Sequence, residues 1–440
     1  MRILGDEPLA ALGGVASCVG HAVTVGLSRV VKRDPFLWVF GARAGEAFAG
    51  NAKYLFLHVC ARHPEIRAVW LSTNRSVVAT LQRAGYEAYH TDSARGTDLN
   101  RRAGVTFLTH GFGDVRMSWS GGALSVMLWH GTPLKKISWD ADFGDRPLAI
   151  QAAASYAYRR FDVLMAATDA TTESFVSGFR ADPEIIVPTG YPRNDVLDLN
   201  HDHDRDRDRE LPGQWIGVSE TVRGRVRSLS RRGQVWLYLP TFRRIGGAST
   251  IADHVDFVAL DSFLAERGVH LLVKAHPFER LALNDDLDRV EVLPAAIDVY
   301  PLLPLTDGLL TDYSSILFDY LLRDRPIVLY PYDLDRYRAE RDFYYEYEAV
   351  APGPIATDFD ELLGALDAAM DAEGSDGSGA RRQSQTRDGT GTGSSDGAHD
   401  ADRSDDDAEK RARLRKRFCR VDVNRSERVC EAVFERLGVQ

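Results

Sequence analysis

Residues 124–139 read "LSVMLWHGTPLKKISW". The apolar run is too short for a free-standing helix and breaks at once into His130, Gly131, Thr132 and Pro133, so it reads as a buried strand delivering polar residues at its carboxyl end. Lys135 and Lys136 follow. Only seven of the chain's 54 basic residues are lysine. A third, Lys274, stands two residues before His276 in "LLVKAHPFER", again just past an apolar run.

The same style recurs on both sides. "RAVWLST", "GVTFLTHG", "FDVLMAATD" and "EIIVPTG" are short β-branched or aromatic runs ending in polar or glycine punctuation, with helix-like segments such as "RPLAIQAAASYAYRRF" between them. "QVWLYLP", "VHLLVKAHP", "RVEVLPA", "DGLLTDYSS" and "RPIVLYPY" repeat the pattern in the second half, with "SILFDYLLRD" as an intervening helix. Strand and helix in alternation imply α/β architecture with parallel, doubly wound sheets. We divide the chain into an uncharged N-terminal helix (1–33), a first Rossmann-like domain (34–195), a charged linker (196–232) and a second Rossmann-like domain (233–370). A disordered acidic insertion (371–409) and C-terminal helices (410–440) complete it. The insertion has almost no aliphatic or aromatic residues and cannot offset its ordering entropy. In the last helices Cys419, Val421, Val429, Val433, Phe434 and Leu437 are spaced for a buried face.

At 440 residues the chain can bury two cores. The net charge of −10 argues against a nucleic-acid partner. The four cysteines show neither a CxxC pair nor zinc spacing with histidine, and read as buried or free thiols. The tract "HDHDRDRDRE" reads as a solvated loop rather than a metal site. Residues 8–28 carry no charge and precede Arg29, Lys32 and Arg33. Their length would span a membrane, but their Gly, Ala, Ser and Thr content favours a packed or interfacial helix, with the basic residues against an anionic surface.

Ligands of open parallel sheets sit past the strands' carboxyl ends. His130 and His276 occupy equivalent places in the two halves, and a neutral imidazole can accept a proton near pH 7. Lys135, Lys274, Arg193 and Arg243 also flank strand ends, as a diphosphate would need. In "TDYSSILFDYLLRD" Thr311 ends a strand and Ser314 or Ser315 starts a helix, which is either an ordinary cap or an anion site. Asp319 either holds a diol or faces solvent. Neither GxGxxG nor a Walker A loop is present, and phosphate binding by cations and helix ends needs no metal.

"LWHGTPLKKI", "TGYPRNDVL", "LPTFR", "VKAHP", "LTDYSSILFDYLLRDRPIVLYPYDLDRY" and "YEAVAPGPI" resemble the CDP-glycerol glycerophosphotransferase family of teichoic acid primases and polymerases. The likeness runs in order over about residues 34–360, and includes "DPFLWVFGARAGEAFAGNAKYLFLHVCARHPEIRAVWLSTN". The two charged tracts have no place in the family pattern. The resemblance implies a GT-B-like fold, two Rossmann-like domains facing across a cleft, with CDP-glycerol as donor substrate and no cofactor. It places the family's essential histidines at His130 and His276. Its donor contacts fall on Trp129, Gly131, Thr132 and Pro133, on Arg193, Arg243, Lys274 and Ala275, and on Ser314, Ser315 and Asp319. It further implies a lipid-linked glycan or polymer acceptor and a peripheral position on the cytoplasmic face of the cell membrane. It leaves open glycerol or ribitol as the transferred polyol, single transfer or polymerisation, which histidine is the base, and self-association. A glycosyltransferase or sugar-nucleotide epimerase of the same fold, and a non-catalytic nucleotide-binding scaffold, are the alternatives.

Overall fold

The computed structural model describes residues 28–141, 143–197, 210–241, 251–275, 286–376, 397–421 and 424–439, together with Thr24, Gly26 and Leu281. The chain forms two compact units, Met1–Val196 with Arg207–Gln214 and Asp422–Gln440, and Leu197–Asp206 with Trp215–Val421.

In the first unit, seven strands make one parallel sheet. They are β1 (Asp34–Phe40), β2 (Arg67–Ser72), β3 (Ala88–His90), β4 (Ala103–Leu108), β5 (Leu124–Met127), β6 (Val163–Ala166) and β7 (Ile186–Pro188). Their order is β3-β2-β1-β4-β5-β6-β7. Central β1 is covered on both faces, and Leu37, Trp38, Val39 and Phe40 are all fully buried. Burial of each aliphatic or phenyl side chain there contributes about 1.5–3 kcal/mol. The helices of this unit are α1 (Gly50–Arg62), α2 (Arg75–Arg83), α3 (Ala94–Arg102), α4 (Leu148–Tyr158) and α5 (Thr172–Phe179). Asn74 and Ser93 cap α2 and α3 by accepting the backbone N–H groups of Ser76 and Gly96.

The second unit holds a five-stranded parallel sheet of β8 (Val235–Leu239), β9 (His270–Val273), β10 (Val290–Val292), β11 (Gly308–Thr311) and β12 (Ile327–Leu329). Its order, β10-β9-β8-β11-β12, repeats the first five positions of the larger sheet. Around it lie α6 (Glu220–Ser230), α7 (Phe257–Arg267), α8 (Ile316–Tyr320), α9 (Leu334–Glu340), α10 (Tyr347–Val350), α11 (Phe359–Asp376) and α12 (Gly397–Phe418).

Helix α13 (Arg425–Leu437) returns to the first unit. The Asp195 carboxylate meets its start, accepting the backbone N–H groups of Arg425 (2.8 Å) and Ser426 (2.9 Å). Such a charge suits a helix N-terminus. Val429, Cys430 and Val433 are fully buried, and Phe434 packs 5.3 Å from Trp38 of β1.

Three expectations need correction. Within the charged linker expected at 196–232, residues 210–232 are folded. Lys53, fully buried, donates to Gln214 O (2.7 Å), Tyr86 OH donates to Pro212 O (3.0 Å), and α6 buries Val226 and Leu229. Its many arginines mask a helical stripe, and two of them, Arg223 and Arg227, stack on Trp215. The proposed disordered insertion is invaded from both ends, because α11 runs to Asp376 and α12 starts at Gly397. Alanine, glutamate and arginine supply helix propensity there without an apolar core, and residues 377–396 lie outside the described ones. Val421 is exposed rather than packed, since it lies between α12 and α13 and not on a helical face. The charged tract at 198–209 and most of the uncharged 8–28 stretch also lie outside the described residues. Among the described residues no helix is long and apolar enough to cross a membrane.

Candidate active site

Each sheet reverses its strand order once, between β1 and β4 in the first unit and between β8 and β11 in the second. Loops leaving two such neighbours diverge and open a crevice at the carboxyl ends. In the first unit these loops are 41–45 and 109–114, tied together by Asp114. Its buried carboxylate accepts the backbone N–H groups of Ala44 (2.6 Å), Thr109 (2.6 Å) and His110 (2.8 Å). The loops approach so closely that a Cβ on Gly41 would lie 2.1 Å from the Asp114 carbonyl oxygen.

Beside this tie stand two histidines. His130 follows β5, in an elbow where Trp129 has φ 56° and Gly131 φ 136°. A tryptophan at positive φ is strained, and its packing on Phe175 and Phe179 holds it there. The His110 and His130 rings stack 4.4 Å apart at 8°. Nδ1 of His130 lies 3.1 Å from Thr109 O. A carbonyl oxygen only accepts, so Nδ1 carries the proton and Nε2 keeps its lone pair.

Burial, then the neighbouring His110, holds the His130 pKa down to about 3, although part of the residue reaches solvent. His110 is more exposed, yet desolvation against its neighbours and the charges of Arg43 and Arg193 lower it to about 4. Both rings are therefore neutral at physiological pH.

Arg193 does not project into solvent. It is buried, and its Nη1 donates to His130 O (2.9 Å), while Asn51 Nδ2 donates to Leu128 O (3.1 Å) and Trp129 O (2.9 Å). These two side chains clamp the elbow's backbone. Thr132 and Pro133 are buried behind it, and Lys135 and Lys136 are half-buried as the chain leaves.

In the second unit Asp312 plays the part of Asp114. Buried after β11, it accepts the N–H of Thr241 beyond β8 (2.9 and 3.0 Å to its two oxygens) and that of Tyr313 (2.6 Å). Thr311 is fully buried, its hydroxyl donating to Leu239 O (2.7 Å). Asp319 is turned inward rather than toward solvent and accepts from Tyr300 OH at 2.7 Å. Its place on the inner face of α8 explains this. Ser314 and Ser315 are half-buried. Ser315 makes no side-chain cap bond, and Ser314 Oγ accepts Ile316 N–H only at 3.5 Å, so ordinary capping does not consume these hydroxyls. Lys274 is half-buried and Ala275 buried just past β9, while His276 and Arg243 lie outside the described residues.

Sequence reading missed His110, Asp114, Arg43 and Asn51. The signal for two of them was "THGFGD" at the end of β4, where a histidine and an aspartate flank two glycines. Among the described residues no group of metal-ligating side chains gathers at either switch point.

The family model for CDP-glycerol:poly(glycerophosphate) glycerophosphotransferase matches residues 23–387. A teichoic acid ribitol-phosphate primase of Bacillus spizizenii is 29% identical over 57% of this chain and 62% of its own length. A teichoic acid glycerol-phosphate transferase of Staphylococcus aureus is 30% identical over 55% of this chain and 61% of its own. The chain thus spans less than two thirds of these relatives. The solved wall teichoic acid polymerase TagF superposes with a TM-score of 0.70 at 21% identity, covering 98% of both chains, and one of its variants was soaked with CDPG. The fold is accordingly GT-B-like, as the resemblance implied. With a family match over most of its length, the chain belongs to the CDP-glycerol:poly(glycerophosphate) glycerophosphotransferase family.

Proposed function

We propose that this protein transfers glycerol phosphate from CDP-glycerol to a hydroxyl of a membrane-linked acceptor, a prenyl-linked glycan or a poly(glycerol phosphate)-like polymer, and releases CMP. The observation that carries the reading is the His130 elbow, a neutral imidazole at a strand's carboxyl end with a free Nε2 lone pair. The acceptor oxygen attacks the β-phosphorus in line, the bond from that phosphorus to the bridging oxygen breaks, and CMP leaves with the electron pair. The acceptor's proton passes to Nε2 of His130.

A pKa of about 3 makes His130 a weak base in the free protein. A diphosphate beside it raises that value, since an anion favours the imidazolium. Donor binding therefore activates the base. His276, Lys274 and Arg243, with the hydroxyls of Ser314 and Ser315, stabilise the transferring diphosphate. Arg193 acts as a positioning residue through its bond to the His130 carbonyl.

A ribitol-phosphate donor is the second reading, favoured by the ribitol-phosphate primase among the relatives. The uncharged N-terminal stretch with its basic border suits a peripheral place on the cytoplasmic face of the membrane. The test supplies purified protein and membranes with labelled CDP-glycerol or CDP-ribitol, with UDP-N-acetylglucosamine as a control donor. CMP release and a labelled membrane polymer are expected with a CDP-polyol. Turnover of the UDP-sugar alone overturns the proposal. His130→Ala is expected to bind donor and release no CMP.

A further inference from the structure

Far from the elbow, at the carboxyl end of α1, four side chains with no part in the mechanism converge. His58 and Cys430 are buried, and one imidazole nitrogen each from His58 and His63 lies with Cys430 Sγ in a group mutually within 4.8 Å. The Glu427 carboxylate joins them, its Oε2 2.8 Å from His58 Nε2 and 3.3 Å from His63 Nε2. Two of these residues come from α1 and its cap, and two from one face of α13, three positions apart. His63 is the C-cap of α1, with φ −122° and ψ 70°. That departure from helical backbone brings its ring within 5.8 Å of the His58 ring, where a continued helix would carry it round.

We propose that His58, His63, Glu427 and Cys430 form a structural zinc site fastening the last helix to the first unit. Two imidazoles, a thiolate and a carboxylate are a zinc donor set, and with four protein ligands the site is closed, as structural sites are. Tetrahedral zinc separates its ligand atoms by roughly 3.3–3.8 Å, so the 2.8 Å contact between His58 Nε2 and Glu427 Oε2 has to open by about 0.5 Å to admit the ion.

A second observation supports the assignment. The other nitrogen of His63, Nδ1, lies 3.1 Å from Glu65 Oε1. A carboxylate behind a ligating histidine fixes its tautomer and aims the opposite nitrogen at the metal. With zinc at Nε2, Nδ1–H donates to Glu65. Sequence spacing cannot reveal the site, since its two halves lie 364 or more residues apart.

The test uses the full chain, dialysed against zinc and desalted, with Co(II) as the spectroscopic probe. Expected are one bound metal per chain and a thiolate-to-cobalt charge-transfer band with the strong visible bands of tetrahedral Co(II). Cys430→Ser is expected to abolish the charge-transfer band and Cys60→Ser to leave it. If Cys430→Ser does not fold, His63→Gln serves, with cobalt affinity falling at least tenfold. Metal held instead by the His201–His203 tract shows no thiolate band. A metal-free protein after zinc loading, absence of that band, or a cobalt spectrum unchanged in Cys430→Ser each overturns the assignment.

Discussion

The two sheets share one strand order and one device. At each reversal a buried aspartate, Asp114 or Asp312, staples the backbone of two diverging loops. What they present differs. The first staple supports a stacked pair of neutral imidazoles, and the second is followed by two serine hydroxyls and the start of a short helix. The scaffold fixes where chemistry can be placed, and a few residues beyond each strand decide its kind. One switch point offers proton acceptors, the other donors suited to an anion.

The sharpest way to break this contrast is to exchange its central residue. His130→Asn keeps an amide N–H where Nδ1 meets Thr109 O but removes the basic nitrogen, and turnover is expected to fall about 10²–10⁴-fold with donor binding intact. Single-turnover CMP release measures it, and activity within a few-fold of the parent dissolves the distinction. Next come the staples. Asp114→Asn puts an amide among three backbone N–H donors and should cost about 3 kcal/mol in urea unfolding, while Asp312→Asn, facing the N–H groups of Thr241 and Tyr313, should cost about 2 kcal/mol. Equal losses would make the two ties equivalent.

Ser314→Ala with Ser315→Ala should weaken donor binding about tenfold, as expected for charge-assisted hydrogen bonds, and leave kcat within a few-fold. Calorimetric titration with CDP-glycerol reads the affinity. A further effect concerns pH. His130 and His110 titrate near 3 and 4 when folded, below the ordinary imidazole value of about 6.5. Between those limits the unfolded chain binds more protons, so stability is full above about pH 6.5 and declines toward pH 4. Arg43, Arg193 and Asp114 face the same rings, and the two arginines act in the direction of neutrality. His130→Asn should flatten the decline in urea midpoint with pH.

Much of this was legible in the sequence because a buried parallel strand is an apolar run with punctuation at its end. Nine such runs besides Leu124–Met127 became strands, and His130, Lys274, Ser314 and Ser315 fall where those runs stop. Local pattern does not single out β1, although it is central, or three-residue β3 at the edge. It does not show partners across the fold, such as the His130 carbonyl that Arg193 bonds or the Tyr300 hydroxyl that Asp319 accepts. Asp114 reads as a loop residue because the backbone amide it shares with Ala44 lies 70 positions away. Neighbours across a sheet leave no mark on the periodicity that reveals the strand.

The return of α13 to the first unit has a consequence for biosynthesis. Everything between Val196 and Asp422 must be translated before Val429, Cys430 and Val433 can cover the face of the first-made half. At roughly 5–20 residues per second the emerging half waits roughly ten seconds to most of a minute with that face open. Ribosome-bound chains halted before Arg425 should therefore be captured by chaperones and nicked by protease far more readily than chains released with the last helix in place.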